Sequence, residues 1–349
     1  MGGHRGDQNI DPAHPDWTPL QLYVIQEHIE DFNDGLISRR QMLRKVTWIT
    51  GSLAVTLAVL PTLGCSPAAT TAPSATAAAS NRVASPTAVA TAAASPYALP
   101  PAARSGPDGV TVKADDPRIT AGPVSPGSIK GADGAVLIGY LARPKAEGTY
   151  PAVLVVHENV GLTPHIQDVV RRVATAGFTG LSIDLLSRQG GAEKLGGTYS
   201  AELAKTTPDA MTADLKAALE FLKAHANVKA DALAVTGFCF GGGTVWNLLV
   251  AGGDVKAAAP FYGPAPANIA GLATTKAAVS AVYAELDTRI TSTAPQIEEQ
   301  LKKTGRPYKT TVYPGVNHAF HNDTGERYVA DQAQKAWQAT IEWFKQYAT

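Results

Sequence analysis

Gly237-Phe238-Cys239-Phe240-Gly241-Gly242-Gly243 follows the apolar run Ala232–Gly237 and opens a second apolar stretch, Gly241–Ala251. The first run reads as a buried strand and the second as a helix, with a thiol at the turn between them. A nucleophile on a sharp strand-to-helix turn needs small neighbours two positions away, because strand and helix must approach closely there. The helix N-terminus beneath the turn is expected to favour a thiolate. The glycine run is not a phosphate loop, since no Lys-Ser/Thr pair follows it.

Outward from this turn, short apolar runs alternate with helical spacing. Strands are expected at Ala135–Ala142, Pro151–Val156, Phe178–Leu185, Ala232–Gly237, Lys256–Phe261, Ala277–Tyr283 and Pro307–Val312. Helices are expected at Ile166–Ala176, Met211–His225, Gly241–Ala251, Ala294–Lys303 and Tyr328–Gln346. This alternation predicts an α/β fold, a mostly parallel sheet covered by helices on both faces. Sites in such sheets lie at the carboxyl ends of the strands.

A thiol nucleophile needs a base, and the base an orienting carboxylate. His318 lies in a turn-rich loop just after the last strand, and His321 competes with it. Asp287 and Glu285 both follow the Ala277–Tyr283 run, and alternation alone does not choose between them. Cys239, Asp287 and His318 stand in the order nucleophile, acid, histidine, as in α/β-hydrolases. An oxyanion would take the Phe240 N–H and a second N–H from the loop after an early strand, for which Asn159 is the candidate. Glu158, at the end of a buried strand beside that loop, is a further candidate.

The 349 residues balance 30 Lys+Arg against 30 Asp+Glu. That neutrality argues against a nucleic-acid binder, which needs a basic footprint. Two cysteines, Cys65 and Cys239, exclude a disulfide framework and a Cys-rich metal site; no metal or other cofactor is expected. The chain divides into a polar extension over 1–37, a leader-like segment over 38–65, a linker over 66–105 and a folded domain over 106–349. The leader-like segment carries Arg39-Arg40 and Arg44-Lys45, followed by 18 uncharged residues from Val46 to Leu63. It resembles a twin-arginine export signal, and Gly64-Cys65 resembles a lipobox that would lipidate Cys65. An uncleaved membrane anchor is the alternative. Of the 40 residues from 66 to 105, 33 are Ala, Pro, Ser or Thr; such a segment reads as a disordered tether. An exported, membrane-tethered monomer is the expectation.

From residue 120 onward the chain resembles the dienelactone hydrolases (carboxymethylenebutenolidases). The resemblance is carried by His157-Glu158-Asn159-Val160-Gly161, Asp184-Leu185-Leu186-Ser187-Arg188, Gly237–Gly241, Glu285-Leu286-Asp287 and Pro314-Gly315-Val316-Asn317-His318-Ala319-Phe320. It implies an α/β-hydrolase fold and a Cys239–His318–Asp287 triad that opens a small ester or lactone through a thioester. It further implies that Glu158 helps form the thiolate and that Arg188 binds a substrate carboxylate. Ala319 stands where dienelactone enzymes have Ser. Two other readings are a tethered binding lipoprotein with a silent hydrolase fold and a thiol-redox protein. All three triad positions being filled disfavours the first, and the lack of a second domain cysteine disfavours the other.

Overall fold

Eight strands form one sheet in the order β1-β2-β4-β3-β5-β6-β7-β8 in a computed structural model that describes residues 17–61, 63 and 111–348. The strands are β1 (Ile119–Pro123), β2 (Gly139–Pro144), β3 (Tyr150–Val156), β4 (Thr179–Ile183), β5 (Val228–Phe238), β6 (Ala257–Phe261), β7 (Ala278–Ala284) and β8 (Tyr308–Tyr313). The β1/β2 and β2/β4 pairs are antiparallel, and every pair from β4 across to β8 is parallel. β4, β6 and β7 are buried at every residue, as strands are when helices cover both faces of a sheet. This is the α/β-hydrolase architecture.

The helices are α1 (Pro19–Asn33), α2 (Arg39–Thr50), α3 (Leu53–Val59), α4 (Pro164–Thr175), α5 (Gly191–Leu195), α6 (Tyr199–Leu203), α7 (Pro208–Ala224), α8 (Phe240–Val250), α9 (Thr288–Thr291), α10 (Ala294–Lys303) and α11 (Ala330–Tyr347). α4 packs on β2 and β4, α7 and α8 on β5, and α11 on β6 and β7. The edge strand expected at Ala135–Ala142 begins later, at Gly139, and sequence reading missed β1 altogether. β1 exists through its pairing with β2, from Ile119 against Pro144 to Pro123 against Tyr140, and a five-residue strand ending in Gly-Pro carries little intrinsic signal.

The larger departure is at the N-terminus. α1 opens with a capping box between Thr18 and Gln21, with Pro19 in its first turn. α2 opens with a second box between Ser38 and Gln41. The paired Arg39 and Arg40 are thus the first two residues of a capped helix. Val24, Ile25, Met42 and Val46 have no exposed surface, and each such burial is worth about 1.5–3 kcal/mol. They join the same apolar core as the sheet, so the segment expected as a polar extension and leader is packed on the catalytic domain. Nor does the uncharged run from Val46 to Leu63 form one span. α2 stops at Gly51, whose φ of 72° is left-handed, and Ser52 caps the separate α3. Among the described residues no helix is long and apolar enough to cross a membrane. Cys65 and the proposed linker over 66–105 lie outside the described residues.

Candidate active site

Three strand ends and one helix start converge on one point. β5 ends at Phe238, and Cys239 follows with φ 58° and ψ −122° as the N-cap of α8. Such a conformation costs a non-glycine residue about 1–3 kcal/mol and persists only where its surroundings enforce it. Here the enforcement is close packing. A Cβ on Gly237 would lie 2.4 Å from the Gly241 carbonyl oxygen, and one on Gly241 2.4 Å from that of Val156. The glycines thus let α8 begin against the ends of β3 and β5. The Phe240 N–H sits in the first turn of α8, where no intrahelical acceptor can reach it. That fits the oxyanion role expected for it.

Asp287 follows β7 and His318 follows β8. The His318 Nδ1 lies 2.6 Å from Asp287 Oδ2, with both residues buried. Glu285, the competing carboxylate, is exposed and accepts the Gly315 N–H at 2.8 Å. His321, the competing histidine, lies against Phe238 with ring centroids 4.9 Å apart, and burial holds its pKa well below the ordinary value. The geometry therefore groups Cys239, His318 and Asp287, and leaves Glu285 and His321 aside.

The loop after β3 is held by a histidine that sequence reading did not single out. His157 is fully buried; its Nε2 accepts the Leu185 N–H at 3.1 Å, which leaves Nδ1 to donate to the Glu158 carbonyl at 2.6 Å. Glu158 is buried and its carboxylate accepts from Asn322 Nδ2 at 2.8 Å. Burial pushes the Glu158 carboxyl upward from its ordinary value, against the pull of nearby His165 and His318. Asn159 follows, half-buried in the same loop.

Arg188 is already paired in the structure. Its guanidinium is occupied by Asp133 (2.8 Å) and Asp214 (2.6 Å), a pairing that joins the β1–β2 connection to α7. Those carboxylates take four of its five N–H donors, and the described structure gives it no contact with Cys239, His318 or Asp287.

A second arginine, Arg289, two residues after Asp287, takes its partners from α1. Glu27 and Glu30 of that helix both accept from it, Glu30 at 2.6 and 2.9 Å, and the guanidinium lies 5.2 Å from the centre of the Tyr23 ring. The Tyr23 hydroxyl is 3.2 Å from Cys239 Sγ. The Glu27 Oε2 is 3.8 Å from Cys239 Sγ and 3.5 Å from His318 Nε2. A carboxylate only accepts, so the thiol donates to Glu27 and the phenol donates to sulfur. Cys239 is 5% exposed beneath this cover.

The electrostatics follow. Burial first, and then the Glu27 charge, push the Cys239 thiol up, with His318 pulling the other way. The helix N-terminus was expected to favour a thiolate; with Glu27 seated over it, the opposite holds. Burial would lower the His318 pKa, but Glu27, Cys239 and Asp287 outweigh it and hold the imidazole well above its ordinary value. Tyr23, Glu27 and Arg289 were missed in the sequence. A signal existed, since Glu27, Glu30, Asp31 and Asp34 form an acidic stripe at helical spacing. Its partners lie about 260–290 residues away and no periodicity points to them.

Comparison with known proteins gives a consistent family. The profile of the dienelactone hydrolase family matches residues 137–348. A Methylorubrum extorquens protein named for carboxymethylenebutenolidase activity is 33% identical over 277 residues, covering 75% of this chain and 92% of that one. That share exceeds what residues 111–349 contain, so the match begins upstream of residue 111. A Bradyrhizobium protein named for 2-oxo-3-(5-oxofuran-2-ylidene)propanoate lactonase activity is 30% identical over 225 residues, 60% of this chain and 90% of that one. Among solved structures, a dienelactone hydrolase homologue from Klebsiella pneumoniae superposes with a TM-score of 0.58 at 29% identity, over 66% of this chain and 99% of that one. With strand order, strand-end site and family profile in agreement, the chain belongs to the dienelactone hydrolase family and is a hydrolase of the lactone and ester class.

Proposed function

We propose that the chain hydrolyses a small ester or lactone through a thioester on Cys239, with His318 as base and acid and Asp287 as the group that orients it. The observation that carries this reading is the buried group of Asp287, His318 and Cys239 at the ends of β7, β8 and β5, beside the Phe240 N–H in the first turn of α8. In the working site His318 takes the thiol proton and the sulfur attacks the acyl carbon. The Phe240 and Asn159 N–H groups hold the oxyanion. Collapse breaks the acyl C–O bond, and the leaving alcohol or enol takes the proton from His318. A water then gives its proton to His318 and attacks the thioester carbon; the C–S bond breaks, the sulfur takes that proton back from His318, and the acid leaves. Glu158, close to both His318 and the nucleophile, sets the local charge against which the thiol ionises.

The test is an acyl adduct. Rapid quenching of the enzyme with p-nitrophenyl acetate is expected to show one acetyl group, mapped by peptide mass to Cys239 and lost again as turnover completes. An acetyl group found only on lysines or serines, with hydrolysis proceeding, would overturn the thioester route.

We propose also that the chain is exported. Arg39-Arg40, the uncharged run over 46–63, the Gly64-Cys65 pair and the Ala/Pro/Ser/Thr-rich 66–105 support this, with a lipidated Cys65 as the tether. The mass of the N-terminal peptide from membrane fractions tests it. A chain beginning at a lipidated Cys65 supports the reading, whereas a chain in the cytoplasmic fraction that still carries residues 17–33 overturns it.

A further inference from the structure

We propose that Glu27 is an internal ligand of the active site: its carboxylate stands where the acid product of hydrolysis would stand, and α1 must withdraw before Cys239 can react. The proposal rests on the triad reading above and deepens it.

The geometry is that of a product complex. The thioester route forms its acid between Cys239 Sγ and the water held by His318 Nε2. A carboxylate oxygen 3.5 Å from that nitrogen and 3.8 Å from that sulfur lies where this acid is released. Tyr23, one helical turn earlier, covers the sulfur from the same helix face. Between them they leave the thiol 5% exposed.

The cover is seated by Val24 and Ile25 in the shared core, and its polar edge is fastened by ion pairs. Three carboxylates, Glu27, Glu30 and Asp31, lie in the last two turns of α1 and a fourth, Asp34, is its C-cap, where the helix dipole disfavours negative charge. Arg289 offsets two of them and Arg327 the other two, the latter at 3.1 Å from Asp31 and 2.7 Å from Asp34. Asn317, next to the catalytic histidine, adds a contact to Asp34 at 3.2 Å. Along this seam runs a polar recess of about 200 Å³ bordered by Glu30, Asp34, Asp287, Arg289, Asn317 and Arg327. Partly exposed ion pairs beside a recess are easier to break than a close-packed apolar contact. The charge state agrees with a closed site. Glu27 helps keep the thiol protonated and the imidazole charged, and neither form can start the reaction. Being tethered, Glu27 acts at an effective concentration on the order of millimolar or more, which a dilute free substrate does not match.

The experiment uses the full chain with Cys65→Ser, so that Cys239 is the only thiol. Asp31→Asn/Asp34→Asn releases Arg327 without touching the thiol's neighbours, and Glu27→Ala removes the internal ligand. Two rates are read: alkylation of Cys239 by iodoacetamide, followed by mass, and hydrolysis of p-nitrophenyl acetate. Both variants are expected to alkylate at least ~10-fold faster than the parent and to hydrolyse faster as well, in line with a thiol that reacts only when uncovered. Circular dichroism checks that each is folded; if Glu27→Ala is not, the Asp31/Asp34 pair decides alone. Equal alkylation in parent and unfastened chain overturns the proposal. So does slower hydrolysis by a folded unfastened chain, which would make α1 part of the working site. Faster alkylation with no hydrolysis in any form sustains the cover and sinks the hydrolase reading instead.

Discussion

Cys239→Ala is expected to lower kcat/KM for ester hydrolysis by about 10³-fold or more, with the fold intact. The residual rate is what the oxyanion donors and binding supply without a nucleophile. The substitution removes one sulfur atom and keeps the Cβ, so the backbone at φ 58° carries the same strain before and after. What is lost locally is the thiol's link to Glu27 and Tyr23, which unfastens rather than unfolds. The measurement is best made in both the parent and the Asp31→Asn/Asp34→Asn background, because a closed parent gives little activity to lose. Retention of full activity by Cys239→Ala in the unfastened background would remove Cys239 from the chemistry.

Gly263→Ala should be among the most destabilising single methyl groups in the chain. A Cβ there would stand 2.1 Å from the Gly243 backbone nitrogen and 2.2 Å from the Gly242 carbonyl carbon. Those are main-chain atoms of the first turn of α8, and no rotamer change can relieve the contact. Either α8 moves off the end of β6 or the 262–264 turn moves off the helix. Gly242 approaches from the other side, where its own Cβ would meet the Phe261 carbonyl oxygen at 2.3 Å, so both backbones are already at their limit. The expected cost is about 4 kcal/mol, or a fall in the melting temperature of roughly 8–16 °C for a domain of this size. Thermal unfolding by circular dichroism reads it. A shift under about 2 °C would mean that the helix start has slack that this packing denies.

Most of the sheet was legible because its strands are buried on both faces and therefore read as short unbroken apolar runs. The proposed catalytic trio was legible for a related reason. Cys239, Asp287 and His318 each follow such a run, and strand ends are where this architecture gathers its side chains. What was not legible depended on contacts distant in sequence. β1 has its register only through β2. His157 looks like one more polar residue after a strand until Leu185 supplies the N–H that fixes its tautomer. Arg188 stands in a motif of the right spelling, yet Asp133 and Asp214 hold it. The packing of the N-terminal segment was not legible for a different reason. Basic residues followed by an uncharged run satisfy a leader pattern whatever the chain does next, and nothing in Val46–Leu63 announces that Gly51 will turn left-handed and split it. The amphipathic stretch from Pro19 to Phe32 was visible as such, but the surface that receives its apolar face is assembled from residues far along the chain.

The placement of α1 gives the molecule an order in time. Residues 19–33 leave the ribosome well before Cys239, so the elbow folds with its cover already made, and the thiol need never face the electrophiles around a newly made chain. While the chain is whole, the cover can lift and reseat. A single cut anywhere between residue 64 and residue 110 would make that movement one-way. A tethered competitor would become a free peptide, diluted without limit, and the act that trims the N-terminus would be the same act that starts the enzyme.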